Sequence, residues 1–322
     1  FFHITVFFAS SFACVTGLAQ DTVFIKSYGN IGYNYGEKII AVGTNGYIIL
    51  GNKTGFSGNT DIYLLRVDFS GNYVWDKAIG TSDIESARDI IRTSDGAFVI
   101  AGFKNIPANN NDYDILLLKT DTSGNVLWEK TYGGSNWDFG YSVVETPDSG
   151  FIVAGETFSF GNGNNDVFIL KTDKNGDSLS AAYYGGPGSE VANDIIHANG
   201  GNYLVSGYTN GFGHGNFDVY LMKINQNLDT IWTKAIGDTL NDISYCSVEA
   251  TDYGFVFSGL TENYNALKND GLVLKVDSSG TQLWAKAYGG PDNDQFNGID
   301  TSSSGGFILA GYTQSYGYAP SK

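Results

Sequence analysis

The sequence predicts an all-β chain, a β-propeller of four-stranded antiparallel blades, and three observations carry that prediction. A motif of about 52 residues recurs through nearly the whole length, which marks one supersecondary unit copied in tandem. Its clearest stretch, DILLLKTDTSGNVLWEKTYGG at 114–134, returns as DVFILKTDKNGDSLSAAYYGG at 166–186, DVYLMKINQNLDTIWTKAIGD at 218–238 and DGLVLKVDSSGTQLWAKAYGG at 270–290. Glycine-containing turns separate short apolar runs, the signature of antiparallel hairpins. The middle runs are apolar on both faces, as expected of a blade packed between two others.

Within a copy the elements follow in order. In the second copy the first strand is expected at 87–93, the second at 97–103 and the third at 114–121. The fourth is expected at 125–133, and the long polar loop at 104–113 separates the second strand from the third. Six repeats are visible, the last of them truncated after a second strand at 306–313. The earliest fourth strand, 23–29, lacks a third-strand partner, so the sequence reads as incomplete at the C-terminus, with seven or eight blades open.

Residues 1–19 stand outside the repeat. Ile4 to Cys14 carries no charge, and Gly17 and Ala19 place small residues before a cut at Gln20, which reads as a secretory signal peptide. The run is too short to span a membrane. The absence of Met before Phe1 reads as a missing start, and Cys14 after Ala13 leaves lipidation open. The remainder, 20–322, is expected to be one propeller domain. It keeps one cysteine, Cys246, which cannot form an internal disulfide.

A formal net charge of −16 with three arginines (Arg66, Arg88 and Arg92) excludes a nucleic-acid or anionic-membrane footprint. Most tempting side chains belong to the repeat. Trp75, Trp128, Trp232 and Trp284 recur on fourth strands, with Ser180 in the remaining place, and are expected to dock between blades. Asp61, Asp114, Asp166, Asp218 and Asp270 open third strands. Asp68, Asp121, Asp173, Asn225 and Asp277 close them, where a carboxylate or amide oxygen fixes a tight turn. Arg66, Lys119, Lys171, Lys223 and Lys275 recur as scaffold cations.

A further series, Asn34, Glu85, Asp138, Glu190, Asp242 and Asp294, falls on the loops joining fourth to first strands. One reading is an acidic rim that attracts Ca²⁺ or a cationic partner; the other is that each residue caps its own loop. The loops between second and third strands (FSFGNGNN at 158–165, NGFGHGNF at 210–217) are rich in Asn, Gly and aromatics, which suits sugar contact as well as an ordinary loop.

No nucleophile elbow, zinc motif, P-loop or dinucleotide fingerprint occurs, and His197 and His214 stand apart in different copies. The pattern K-x-D-x-x-G-x-x-x-W-x-K-x-Y-G-G, followed by G-x-F-I-x-x-G-x-T, resembles the repetitive secreted β-propeller proteins of Bacteroidota-type bacteria, related to quinoprotein-like and kelch-like propellers. That resemblance implies export and often a C-terminal sorting domain for type IX secretion. One residue fewer separates Asp from Gly than in the quinoprotein tryptophan-docking motif, so no quinone cofactor is implied. The sequence therefore points to a secreted or cell-surface binding or adhesion module for glycan or protein, monomeric within a larger chain. Two alternatives stay open: an extracellular lyase or glycosidase with its site at the channel mouth, and a purely architectural segment. The copies differ without converging on one blade, which weighs against an enzyme.

Overall fold

A computed structural model of the chain describes residues 26–28, 33–54, 59–107, 112–262, 268–302 and 305–315. The leader expected at 1–19 lies outside them, as does most of the strand expected at 23–29. Among the described residues, five four-stranded antiparallel sheets and a two-stranded one follow in chain order. Blade 1 is β1 (Tyr33–Ala41), β2 (Tyr47–Thr54), β3 (Thr60–Val67) and β4 (Tyr73–Ile79). Blade 2 is β5 (Glu85–Arg92), β6 (Phe98–Ile106), β7 (Asp112–Thr120) and β8 (Val126–Tyr132). Blade 3 is β9 (Asp138–Glu145), β10 (Phe151–Thr157), β11 (Asp166–Thr172) and β12 (Ser178–Tyr184). Blade 4 is β13 (Glu190–Ala198), β14 (Asn202–Thr209), β15 (Asp218–Ile224) and β16 (Thr230–Ile236). Blade 5 is β17 (Asp242–Glu249), β18 (Phe255–Thr261), β19 (Asp270–Val276) and β20 (Gln282–Tyr288). The sixth repeat contributes β21 (Asp294–Thr301) and β22 (Phe307–Thr313). Six visible repeats thus become five complete blades and a partial sixth. The expected 87–93 and 97–103 strands of blade 2 start and end within three residues of β5 and β6.

The chain divides into two compact units, residues 1–131 and 132–322. Within each, first strands lie against the first strands of the next blade, β1 on β5 in one unit and β9, β13, β17 and β21 in succession in the other. Fourth strands lie outermost. The core sits in the seams: Leu50, Leu64, Ile90 and Phe98 fill that between blades 1 and 2, and Ile152, Ile169, Ile195 and Tyr203 fill that between blades 3 and 4. Each such side chain contributes roughly 1.5–3 kcal/mol by leaving water.

Alternation alone does not reveal the shape of the first strands. All six carry a β-bulge at the same place, which inserts Glu37, Arg88, Tyr141, Asn193, Tyr245 and Asn297 as extra residues. The bulge drives a first-strand carbonyl onto the second strand, and a glycine faces it each time. A side chain at Gly51, Gly102, Gly155, Gly207, Gly259 or Gly311 would collide with the carbonyl of Tyr35, Ser86, Phe139, Val191, Ile243 or Gln295. This close approach explains the glycine of the G-x-T pattern.

The turns closing third strands are built alike. Asp121 Oδ1 accepts from the amides of Ser123 (2.8 Å) and Asn125 (2.9 Å), and Asp68, Asp173, Asn225 and Asp277 do the same in their own turns. The fourth turn residue is left-handed: Gly71, Gly124, Gly176 and Gly280, but Leu228 in blade 4 (φ 69°). Onto these turns the preceding fourth strand docks. The Trp75 ring would lie 3.0 Å from a Cβ at Gly124, and Trp232 does the same at Gly280. Tyr184 donates its hydroxyl to the Leu228 carbonyl. Ser180 and Leu228 are therefore the two halves of one exchange. Where the docking tryptophan is missing, the turn glycine has become a leucine, buried among Ala182 and Tyr184. The seam at Ser180 is filled from the other side by Leu228.

Candidate functional site

The six residues of the acidic series sit at or near the start of the first strands, and most are buried rather than displayed. Glu85, Asp138, Glu190, Asp242 and Asp294 are at most 4 % exposed, and Asn34 lies opposite Lys53 in the β1–β2 pairing. Each acid accepts from the backbone four residues earlier: Glu85 from Thr81, Asp138 from Gly134, Glu190 from Gly186, Asp242 from Asp238 and Asp294 from Gly290. Several meet the acid that opens the preceding third strand across a glycine, Asp166 with Glu190 at Gly185, Asp218 with Asp242 at Gly237, and Asp270 with Asp294 at Gly289. Burial, then the neighbouring carboxylate, pushes Asp242 and Asp270 above the usual range. Burial also raises Asp294, but hydrogen bonds from Ser315, Thr313 and Gly290 outweigh it and hold the carboxyl at about 2. Among the described residues no three His, Cys, Asp or Glu side chains come together as a metal site.

What neutralises these acids differs along the chain. In the first unit, lysines stand two places after the bulge-facing glycine, at Lys53 and Lys104. Lys104 Nζ lies 3.2 Å from Glu85 and 2.7 Å from Glu129. In the second unit that place holds Thr157, Thr209, Thr261 and Thr313. Thr209 donates to Glu190 (2.8 Å) and accepts from the amides of Gly211 and Phe212, so one hydroxyl ties the acid to the second-to-third-strand loop. Ser159 and Ser315 extend the same clasp to Asp138 and Asp294.

The bulged residues show the same change. In the first unit Arg88 pairs with Glu37 at 3.4 Å, and Lys38 with Asp89 at 2.5 Å. In the second, Tyr141 donates to Glu156 (2.5 Å), Asn193 donates to the Ser244 carbonyl, and Ser142 and Ser247 donate to Asp194. None of β9, β10, β13, β14, β17, β18, β21 and β22 contains a lysine or arginine.

Blade 3 carries three substitutions that the fold brings together. Trp137 stands where other copies have Tyr33, Ile84, Ser189, Asn241 and Asn293; Phe158 where they have Thr54, Asn105, Asn210, Glu262 and Gln314. Glu156 replaces Asn52, Phe103, Tyr208, Leu260 and Tyr312. The fold gathers these substitutions. Trp137, Phe139 and Phe158 meet edge to face, with centroids 6.2–6.5 Å apart, and Phe139 stacks on Tyr141 at 6.3 Å. The row runs from Trp137, 51 % exposed, and Phe158, 39 % exposed, to the Tyr141 hydroxyl on buried Glu156. Asn165 Nδ2 donates to the other Glu156 oxygen, and burial raises this carboxyl above the usual range despite both hydrogen bonds. Trp137 is the one tryptophan outside the fourth-strand series, and that irregularity was the signal available in the sequence.

The other singled-out groups have local roles. The His214 amide donates to Asp218 (2.8 Å), the His197 ring leans on Tyr203 at 5.5 Å, and Cys246 Sγ lies 3.2 Å from the Asn297 carbonyl. Lys119 and Lys275 pair with Asp95 and Asp252, while Arg66 donates to the carbonyls of Asn45, Tyr47 and Val67.

No protein-family profile matches the chain. In sequence it is similar to the regulatory protein FlaEY of Caulobacter vibrioides, 24 % identical over 281 residues. That match covers 79 % of this chain, which spans 28 % of the relative's length. In structure it is similar to the WD40 domain of Neurospora crassa Pan2 (TM-score 0.51, 13 % identity, 85 % of this chain and 71 % of that one). It is also similar to the β-propeller domain of the Trilobed protease from Pyrococcus furiosus (TM-score 0.50, 9 % identity, 87 % and 79 %). These likenesses show the fold, a β-propeller.

Proposed function

We propose that this propeller is a secreted or cell-surface binding module whose ligand is a glycan or a surface protein. One observation carries the reading. The docking tryptophans, turn aspartates and bulge glycines repeat from copy to copy, while the residues presented by the bulges (Glu37, Arg88, Tyr141, Asn193, Tyr245 and Asn297) differ along the series. Scaffold residues repeat while the presented residues vary, a pattern common among repeat proteins that bind through their variable positions. The leader read at 1–19 and the likeness to exported repetitive propellers support display outside the cell, with type IX sorting as the route. Proteinase K treatment of intact native cells should remove the protein, and a glycan array should retain it. Protection from protease together with an empty array would overturn the reading.

A second reading, an extracellular carbohydrate-active enzyme, draws on Glu156, a buried acid of raised pKa that no other copy has. Release of shorter sugars from a bound polysaccharide would favour it over binding alone.

A further inference from the structure

We propose that the blade 3 row Trp137, Phe158, Phe139 and Tyr141, ending on Glu156, is a binding site for a neutral pyranose-based glycan. The inference rests on the binding-module reading and names its site and ligand chemistry. A pyranose ring has an apolar face of C–H groups and a periphery of hydroxyls, so its receptor needs an aromatic surface bordered by neutral or acidic hydrogen-bonding groups. Blade 3 supplies both within one sheet and its edge loops. Trp137 is half exposed, yet edge-to-face contacts with Phe139 and Phe158 hold its ring, so ordering it on binding costs little. At the inner end the Tyr141 hydroxyl donates to Glu156, which fixes the orientation of the phenol. Beyond the outer end lie Asn136 and Ser159, joined through the Asn136 backbone amide and the Ser159 hydroxyl.

Charge selects among glycans. The first and second strands of this unit lack lysine and arginine, and Asp138, Glu156 and Glu190 are carboxylates in or beside blade 3. A uronate, sulfated or sialylated chain would meet like charge, with no lysine or arginine on those strands to receive it. A neutral chain meets hydroxyls, an amide and rings.

The test is calorimetric titration of the full chain with cellohexaose, xylohexaose, mannohexaose and laminarihexaose, alongside hexagalacturonate as the anionic control. At least one neutral hexasaccharide should bind and hexagalacturonate should not. Trp137→Ala should weaken that affinity at least about tenfold and Tyr141→Phe about threefold to tenfold, while Trp284→Ala, an exposed tryptophan of blade 5, changes nothing. Thermal melts identify any variant that has lost the fold, and Tyr141→Phe keeps the ring packing if Trp137→Ala does not. A parent that binds a neutral sugar as tightly after both substitutions overturns this site and leaves the binding-module reading standing. Failure to bind any neutral sugar, or preference for hexagalacturonate, overturns the ligand assignment itself.

Discussion

Blades 1 and 2 and blades 3 to 5 solve the same problem with different chemistry. Both units bury acids where a fourth strand turns into a first, because loop amides there need acceptors. The first unit brings lysine to Glu85 and sets Arg88 on Glu37 and Lys38 on Asp89. The second sets threonine, serine, asparagine and tyrosine hydroxyls and amides at the corresponding places. A buried acid accepts either a cation or several neutral donors, and the choice decides what the surface can receive. Ion-paired strands have their charges already partnered. Hydroxyl-lined strands with a row of rings suit an uncharged, many-hydroxyl ligand, so under the proposed function the chemistry that holds blade 3 together would also set its recognition.

The sharpest way to break this comparison is to remove one neutralising group from each unit. Lys104→Met leaves Glu85 buried without its cation and should cost about 3 kcal/mol, whereas Thr209→Val removes a neutral donor from Glu190 and should cost about 1 kcal/mol. Urea unfolding measures both, and equal losses would erase the distinction.

Next in size is the exchange at Ser180 and Leu228. Ser180→Trp alone should destabilise by about 1–3 kcal/mol, since Leu228 fills the place where Trp75 and Trp232 find glycine. Adding Leu228→Gly should recover most of that loss, because glycine also accepts the left-handed φ of 69° without strain. A double variant no better than the single one would refute the docking register.

Two smaller effects concern pH. Asp242 has a folded pKa raised above 3.8, so its protonated form is favoured in the fold and stability declines as pH rises from 3.8 through the folded value. Asp95 in the first unit runs the other way. Hydrogen bonds from Lys119 and then Thr93 hold it at about 2, so its contribution is full above 3.8 and lost as pH falls from there to about 2. Asp242→Asn should flatten the first slope and Asp95→Asn the second, each read from melting temperature against pH. Transplanting the cation with Thr261→Lys should lower the Asp242 pKa, as followed by carboxyl-carbon NMR. An unchanged or higher value would show that the lysine of blades 1 and 2 is not interchangeable with threonine.

The blades, their order and the turn aspartates were legible because each depends on spacing within one copy. The lysine-to-threonine switch was written there too, but its meaning needs the register that puts residue 104 beside Glu85. The bulges were not legible, since an inserted residue shifts alternation by one and leaves composition unchanged. Blade 3 was missed for a different reason: Trp137 and Phe158 are separated by a whole hairpin, and only β9 pairing with β10 makes them neighbours.

The central claim is that recognition resides in what blade 3 has and blade 4 lacks. It is tested most directly by writing blade 4's residues into blade 3, as Trp137→Ser, Glu156→Tyr and Phe158→Asn together, and measuring retardation in a native gel cast with the neutral polysaccharide that the parent binds. A variant that melts as a folded propeller and migrates as freely as in a blank gel is the predicted result. Retardation equal to the parent's would place recognition elsewhere and contradict the account.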